Sequence, residues 1–161
     1  MERLVIRGGT VITMLGPGEV IPGGAVVLSN GEIAWVGEES GLPPEYSGYR
    51  SIDARGKVVM PGLINTHTHA AMTLLRGYAD DMAFMDWLHQ RILPVEERLD
   101  GEDVYWGTAL ACLEMLKSGT TTFLDMYFFI DDAARAASEA GMRAIFSRGI
   151  VGTGEEADRR L

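Results

Sequence analysis

An α/β chain built in two parts is the fold class this sequence predicts, and three observations carry the prediction. The first fifty residues break into short β-branched or alternating runs divided by glycine. From Lys57 onward the pattern becomes strand, helix, strand, helix, strand. The later β-runs are separated by helical stretches long enough for the crossovers that parallel strands require.

In the first part, residues 4–7, 10–14, 25–29 and 32–36 read as strands. The runs AVVLS and EIAWVG are joined by Asn30-Gly31, and both residues tolerate the positive φ angles of a tight hairpin turn. Residues 41–50, GLPPEYSGYR, hold two prolines and no periodicity, so they read as a connection. In the second part, KVVMPGLI is an apolar β-run. Helical spacing follows through Phe84, Trp87, Leu88 and Ile92 until Pro94 interrupts it. Asp100 is placed to cap a stronger helix in which Trp106, Leu110 and Leu113 share one face, with Gly119 as its left-handed terminator. TTTFLDMYF is a strand, residues 131–140 form an Ala-rich helix closed by Gly141, and MRAIFSRGI is a further strand.

The composition supports a real core. The chain has 161 residues, 47% of them hydrophobic, and a chain of this length buries roughly 68–70% of its unfolded surface. Fourteen Lys+Arg stand against 23 Asp+Glu, a net charge of −9 with a pI near 4.7. That balance, with no basic run, argues against nucleic acid and against anionic lipid as partners. No segment approaches the roughly 18 continuous apolar residues of a bilayer crossing, and MERLVIRGG lacks the apolar stretch of a secretory signal. The expectation is a soluble, cytoplasmic protein with no membrane partner. The lone Cys112 has no internal partner and reads as a small buried hydrophobe, in keeping with a reducing compartment.

The sharpest chemical feature is Asn65-Thr66-His67-Thr68-His69, directly after KVVMPGLI. In extended backbone, positions i and i+2 project from one face about 6.5–7 Å apart, so two imidazoles can converge on one ion. Neutral imidazole holds Zn²⁺ at roughly 2.0–2.1 Å, and a catalytic site keeps one position free for water. On spacing alone, two ordinary hydrogen-bonded histidines are the plainer reading. The end of a parallel strand, however, is where functional groups gather in α/β folds.

The run DARGKVVMPGLINTHTHAAMTLLRGYADD resembles the amidohydrolase superfamily, and the likeness continues through MDWLHQRILPVEERL, LEMLKSGTTTFLDMYF and MRAIFSRGI. Within it the chain is most similar to the 5-methylthioadenosine/S-adenosylhomocysteine deaminase group. The resemblance implies an incomplete metal-dependent (β/α)₈ TIM barrel preceded by part of a small β-sandwich. Residues 1–56 would be the N-terminal share of the sandwich and residues 57–161 the first three βα units. It implies hydrolytic deamination of an adenine nucleoside thioether, with His67 and His69 as ligands of one Zn²⁺, Fe²⁺ or Mn²⁺ being open. The family's remaining ligands and its proton-shuttling Glu come from later strands, so no catalytic residue is expected within this chain. Guanine deamination and dechlorination are neighbouring chemistries, and a non-catalytic fragment is the alternative from another class.

Three further positions carry over. Glu96 matches the residue that binds ribose hydroxyls, a task for a carboxylate that accepts two hydrogen bonds; read from its own neighbourhood, it belongs to a solvated face. Arg148 and Arg160, the latter beside Arg159, match residues that take a substrate carboxylate bidentately. His89 reads as a surface or packing residue, and Asp125 as either a support for the site or a cap. Phe84 and Trp87 read as core or as the wall of an adenine pocket. Three barrel strands leave an open edge and an uncovered inner face, so the expected partners are the remainder of the barrel or a complementary or identical chain, making a homo-oligomer the expected state.

Overall fold

The computed structural model describes residues 3–149, and the chain divides into two compact units between Pro61 and Gly62. In the first unit β1 (Arg3–Ile12) pairs antiparallel with β2 (Val20–Ser29), which pairs antiparallel with β3 (Glu32–Glu38). On its other side β1 runs parallel to β4 (Arg50–Asp53) and then β5 (Val58–Val59). Residues 4–7 and 10–12 belong to one strand where two were expected, and Thr13 and Met14 lie beyond its end. The chain passes through Gly8 at φ +76° and the pairing shifts register there instead of ending. The hairpin is as expected: Ser29 pairs Glu32, and Asn30 and Gly31 take φ of +56° and +84°. Val5, Ala25 and Val27 form the buried centre, covered by Trp35, Leu42, Tyr46 and Tyr49.

KVVMPGLI is not one strand. Pro61 cannot donate to a ladder, and the run splits around it. Val58–Val59 joins the first sheet as β5, while Leu63–Thr68 becomes β6, the first strand of the second unit. That shift places the division beyond the expected 56/57 boundary.

The second sheet is parallel, in the order β6, β7 (Thr120–Tyr127), β8 (Arg143–Arg148). Between β6 and β7 the chain forms a 3₁₀ segment (Ala70–Leu75), α1 (Phe84–Trp87), a π-turn (Leu88–Ile92), α2 (Leu93–Glu96) and α3 (Gly101–Lys117). Pro94 does not end the helical run. A proline inside a helix collides with the carbonyl four residues back, and the wider π-turn directly upstream accommodates it so that α2 continues to Glu96. Asp100 caps α3 as expected, its Oδ1 accepting from the backbone N–H of Glu102 and Asp103 while Asp103 Oδ2 accepts from Asp100 N–H. Gly119 follows at φ +85°. α4 (Ile130–Glu139) links β7 to β8.

Trp106, Leu110 and Leu113 share one face of α3, as their spacing predicts, and that face is turned outward. Val104, Gly107, Thr108, Ala111, Cys112 and Met115 are buried, whereas Trp106 and Leu113 are 59% and 55% exposed. The cause is a close crossing over the 3₁₀ segment. A Cβ on Gly107 would stand 2.5 Å from the Ala71 carbonyl oxygen, and Thr73 Oγ1 donates to the Gly107 carbonyl at 2.6 Å. Only small residues fit at that distance, so the large ones point outward. Phe123 is fully buried beneath α3 and α4. On the opposite sheet face Leu124, Met126 and Ile145 stay exposed. Among the described residues no helix is long and apolar enough to cross a membrane.

Two predictions follow from this packing. Gly107→Ala should lower the urea midpoint, costing about 1–3 kcal/mol through overpacking even though alanine favours a helix by about 1 kcal/mol; an unchanged or raised midpoint would contradict the close crossing. Cys112 is buried, and burial, with a smaller effect from the Asp125 charge, pushes its thiol up to about 11. A thiol-specific chromogenic reagent at mildly alkaline pH should leave Cys112 unlabelled in the native chain and label it fully in urea.

Candidate functional site

The second unit gathers its polar side chains at the C-terminal end of the parallel sheet. β6 and β7 fall out of step there: Asn65 pairs Phe123, yet Thr68, three residues on, pairs Asp125, only two residues on. The extra residue is a bulge at Thr66-His67, a device that re-aims side chains at a strand end. His67 is exposed and its backbone N–H donates to Asn65 Oδ1 at 3.3 Å. His69 lies just past the strand at φ −128°. The two imidazole rings nevertheless meet, with centroids 5.3 Å apart and planes at 86°.

His69 is held by its backbone neighbours on β7. Its Nδ1 lies 2.8 Å from the Met126 carbonyl oxygen. A carbonyl only accepts, so Nδ1 carries the proton and Nε2 presents its lone pair. This is the support usual for a metal-ligating histidine, and it fits the pair as part of a cation site. The pair is not a full ligand set: among the described residues no group of three or more His, Cys, Asp or Glu side chains comes together in a way that could hold a metal.

Asp125 stands beside it, fully buried. Its Oδ1 accepts from Ala70 N–H at 2.8 Å and lies 2.9 Å from Thr68 Oγ1, whose single proton is shared with the Leu124 carbonyl at 2.7 Å. Its Oδ2 has no hydrogen-bond partner. Burial raises the Asp125 carboxyl above the ordinary carboxylate range, and the Ala70 and Thr68 hydrogen bonds partly oppose that shift. Asp125 therefore both caps the 3₁₀ segment and ties β6 to β7.

Glu96 departs from the solvated face that its neighbourhood suggests. It is buried, and Tyr127 Oη donates to its Oε1 at 2.8 Å, while Glu97 beside it is exposed. Burial and the Glu96 carboxylate both push the Tyr127 phenol upward, so it stays a proton donor. Glu96 and Tyr127 line a cavity of about 360 Å³ with His69, Met72, Trp87 and Phe84. Phe84 and Trp87 stack at 5.9 Å and 30°. A second cavity of about 470 Å³ also reaches His69, but its other walls are Asn65, Thr73, Glu114 and Ser118 on the α3 side. The first carries the better chemistry because it joins an apolar wall to a buried acceptor.

Arg148, at the end of β8, pairs in register with Tyr127 but does not line the cavity that Glu96 and Tyr127 share. Its Nη2 lies 3.0 Å from Asp131 Oδ2. Arg160 lies outside the described residues. His89 is exposed, as expected. Sequence reasoning missed Tyr127 and the Met126 carbonyl; the available signal was that both sit, with Asp125, at the C-terminal end of a parallel strand.

Residues 58–160 match the amidohydrolase family. The chain is 56% identical over 163 residues to a 5-methylthioadenosine/S-adenosylhomocysteine deaminase of Symbiobacterium thermophilum, covering 100% of this chain and 37% of that protein. It is 50% identical over 151 residues to a 5'-deoxyadenosine deaminase of Methanosarcina mazei, covering 94% and 34%. Among solved structures, a zinc-bound adenosine deaminase from Xanthomonas campestris superposes with a TM-score of 0.73 at 41% identity, covering 89% of this chain and 33% of that one. An atrazine chlorohydrolase from Arthrobacter aurescens complexed with zinc gives 0.82 at 24% identity over 96% and 37%, a likeness of fold. The chain thus spans 37% of the length of the first curated relatives it matches.

The Glu96–Tyr127 contact makes a direct prediction. Tyr127→Phe leaves a buried carboxylate oxygen without its donor and should destabilise the chain by about 1–3 kcal/mol. The same change in a Glu96→Ala background should cost distinctly less, as read in a double-mutant cycle of urea midpoints.

Proposed function

We propose, because this chain belongs to the amidohydrolase family, that it is the first part of a hydrolytic deaminase of adenine nucleosides bearing a 5'-thioether, of the 5-methylthioadenosine or S-adenosylhomocysteine kind. The relatives' names support that substrate class. The observation that carries the reading is the meeting of His67 and His69 beside a cavity that also holds the buried Glu96. In this reading β6, β7 and β8 are the first three strands of an eight-stranded barrel and residues 1–56 are one share of a β-sandwich. The superposition on the zinc-bound adenosine deaminase supports it.

His67 and His69 would hold two positions of a divalent ion, with zinc favoured by the imidazole donors and by the zinc in the two superposed structures. When bound, such an ion supplies a Lewis acid that brings water toward a pKa of about 7. The chain's own residues do the rest of the positioning. The Met126 carbonyl fixes His69 with Nε2 free. Tyr127 occupies one oxygen of Glu96, which leaves the other to accept from a ribose diol. The stacked Phe84 and Trp87 offer an apolar wall to a purine ring.

Arg148 would recognise a substrate carboxylate after exchanging partners. Asp131, its present partner, is 89% exposed, and an ion pair that open to water is weak enough to yield. Arg160 has the same proposed role. The described residues hold only part of a ligand set, so in this reading turnover needs the remainder of the barrel, whether on the same chain or a companion one.

Ammonia release tests the proposal, measured with a protein that carries this chain at its relatives' full length. S-adenosylhomocysteine or 5-methylthioadenosine should be deaminated, and His67→Ala or His69→Ala should each lower kcat/KM by roughly 10³-fold or more. Glu96→Gln should cost on the order of tenfold or more on nucleosides and less on the free base. Turnover of guanine or a chlorotriazine with none on either thioether would move the chain to a neighbouring chemistry of the family.

A further inference from the structure

The outward face of α3 plays no part in the site, yet it carries large apolar side chains. Trp106 is 59% exposed, Leu113 55% and Leu110 38%. Glu102 stands one turn before this row and Lys117 one turn after it, both exposed. At about 100° per residue these five positions fall within roughly 80° of arc. That arc lies opposite the buried row of Val104, Thr108, Ala111, Cys112 and Met115. A stripe so placed points away from the sheet that α3 covers, so strands and helices that extended the sheet would meet the flanks of α3 and leave the stripe open.

The order of residues along the stripe is self-complementary. A twofold axis passing near Leu110 and perpendicular to α3 would set a second α3 antiparallel to the first. Glu102 then faces Lys117 of the other copy at both ends, Trp106 faces Leu113 twice, and Leu110 meets its own counterpart at the centre. Among the described residues neither Glu102 nor Lys117 takes part in an ion pair, so both charges are open to such a partner. An isologous contact requires this reciprocity of one patch with itself, and Trp, here at position 106 flanking the centre, is a residue type enriched among those that dominate such contacts. We propose that the outward stripe of α3 is the contact between two copies of this chain, formed by antiparallel α3 helices about Leu110. The charge order selects a second copy over an unrelated apolar partner, because a uniform patch would carry no such reciprocity. This inference is independent of the chemistry proposed for the histidines.

Sedimentation velocity of this chain over a dilution series, at low salt, tests the contact. Trp106→Glu should raise the dimer dissociation constant by on the order of thirtyfold. Glu102→Lys and Lys117→Glu should each raise it about three- to tenfold, since either change sets like charges together twice. The double variant Glu102→Lys/Lys117→Glu should return to within about twofold of the parent, because both pairs re-form in reverse. As a second readout, Leu110→Cys should cross-link to its own counterpart under mild oxidation, while Ser138→Cys on the exposed face of α4 should not. A chain that stays monomeric throughout would overturn the proposal. So would a dimer indifferent to these substitutions, or a charge-reversed pair that fails to recover.

Discussion

The second unit depends on one buried carboxylate and the strand that carries it. Thr68, His69 and Ala70 are consecutive, and each is tied to β7: Thr68 and Ala70 through Asp125 Oδ1, His69 through the Met126 carbonyl. These three contacts fix the turn by which β6 leaves the sheet and enters the 3₁₀ segment. Burying Asp125 is costly, as the upward displacement of its carboxyl shows. Hydrogen bonds to a charged group recover roughly 1.5–3 kcal/mol each, and they do so here only if the turn keeps its shape. The carboxylate thus converts the cost of burial into geometric precision at His69.

The same strand organises the rest of the cluster through simple alternation. Phe123, Asp125 and Tyr127 share the buried face of β7. The first fills the core beneath α3 and α4, the second clamps the turn, and the third holds Glu96. Glu96 reaches Tyr127 because the π-turn ahead of Pro94 lets the helical run continue to α2. Close approach of α3 to the 3₁₀ segment, permitted by Gly107, then packs this layer against the sheet and turns the bulky residues of α3 outward.

Much of this was legible in the sequence, and what was not has identifiable causes. The hairpin at Asn30-Gly31, the cap at Asp100 and the terminator at Gly119 depend on local chemistry, and local chemistry is written in adjacent residues. The histidine pair was visible from its spacing and its place after an apolar run. That Trp106, Leu110 and Leu113 share one face of α3 was legible from their spacing, but which face is buried was not, because the deciding quantity was the distance to a segment some 35 residues away. Glu96 was read as solvated for a related reason: its donor, Tyr127, lies on another element. The split of KVVMPGLI was signalled by Pro61, but the exchange of the run between two sheets is a matter of tertiary pairing.

Histidine tautomers report most directly on the claim that β7 sets His69 in place with Nε2 available. Long-range ¹H–¹⁵N correlation spectra of the metal-free chain, recorded with both histidines neutral, distinguish a protonated ring nitrogen from a bare one. The account predicts that His69 carries its proton on Nδ1 and shows Nε2 bare. A His69 ring protonated on Nε2, or one exchanging freely between the two forms, would contradict it.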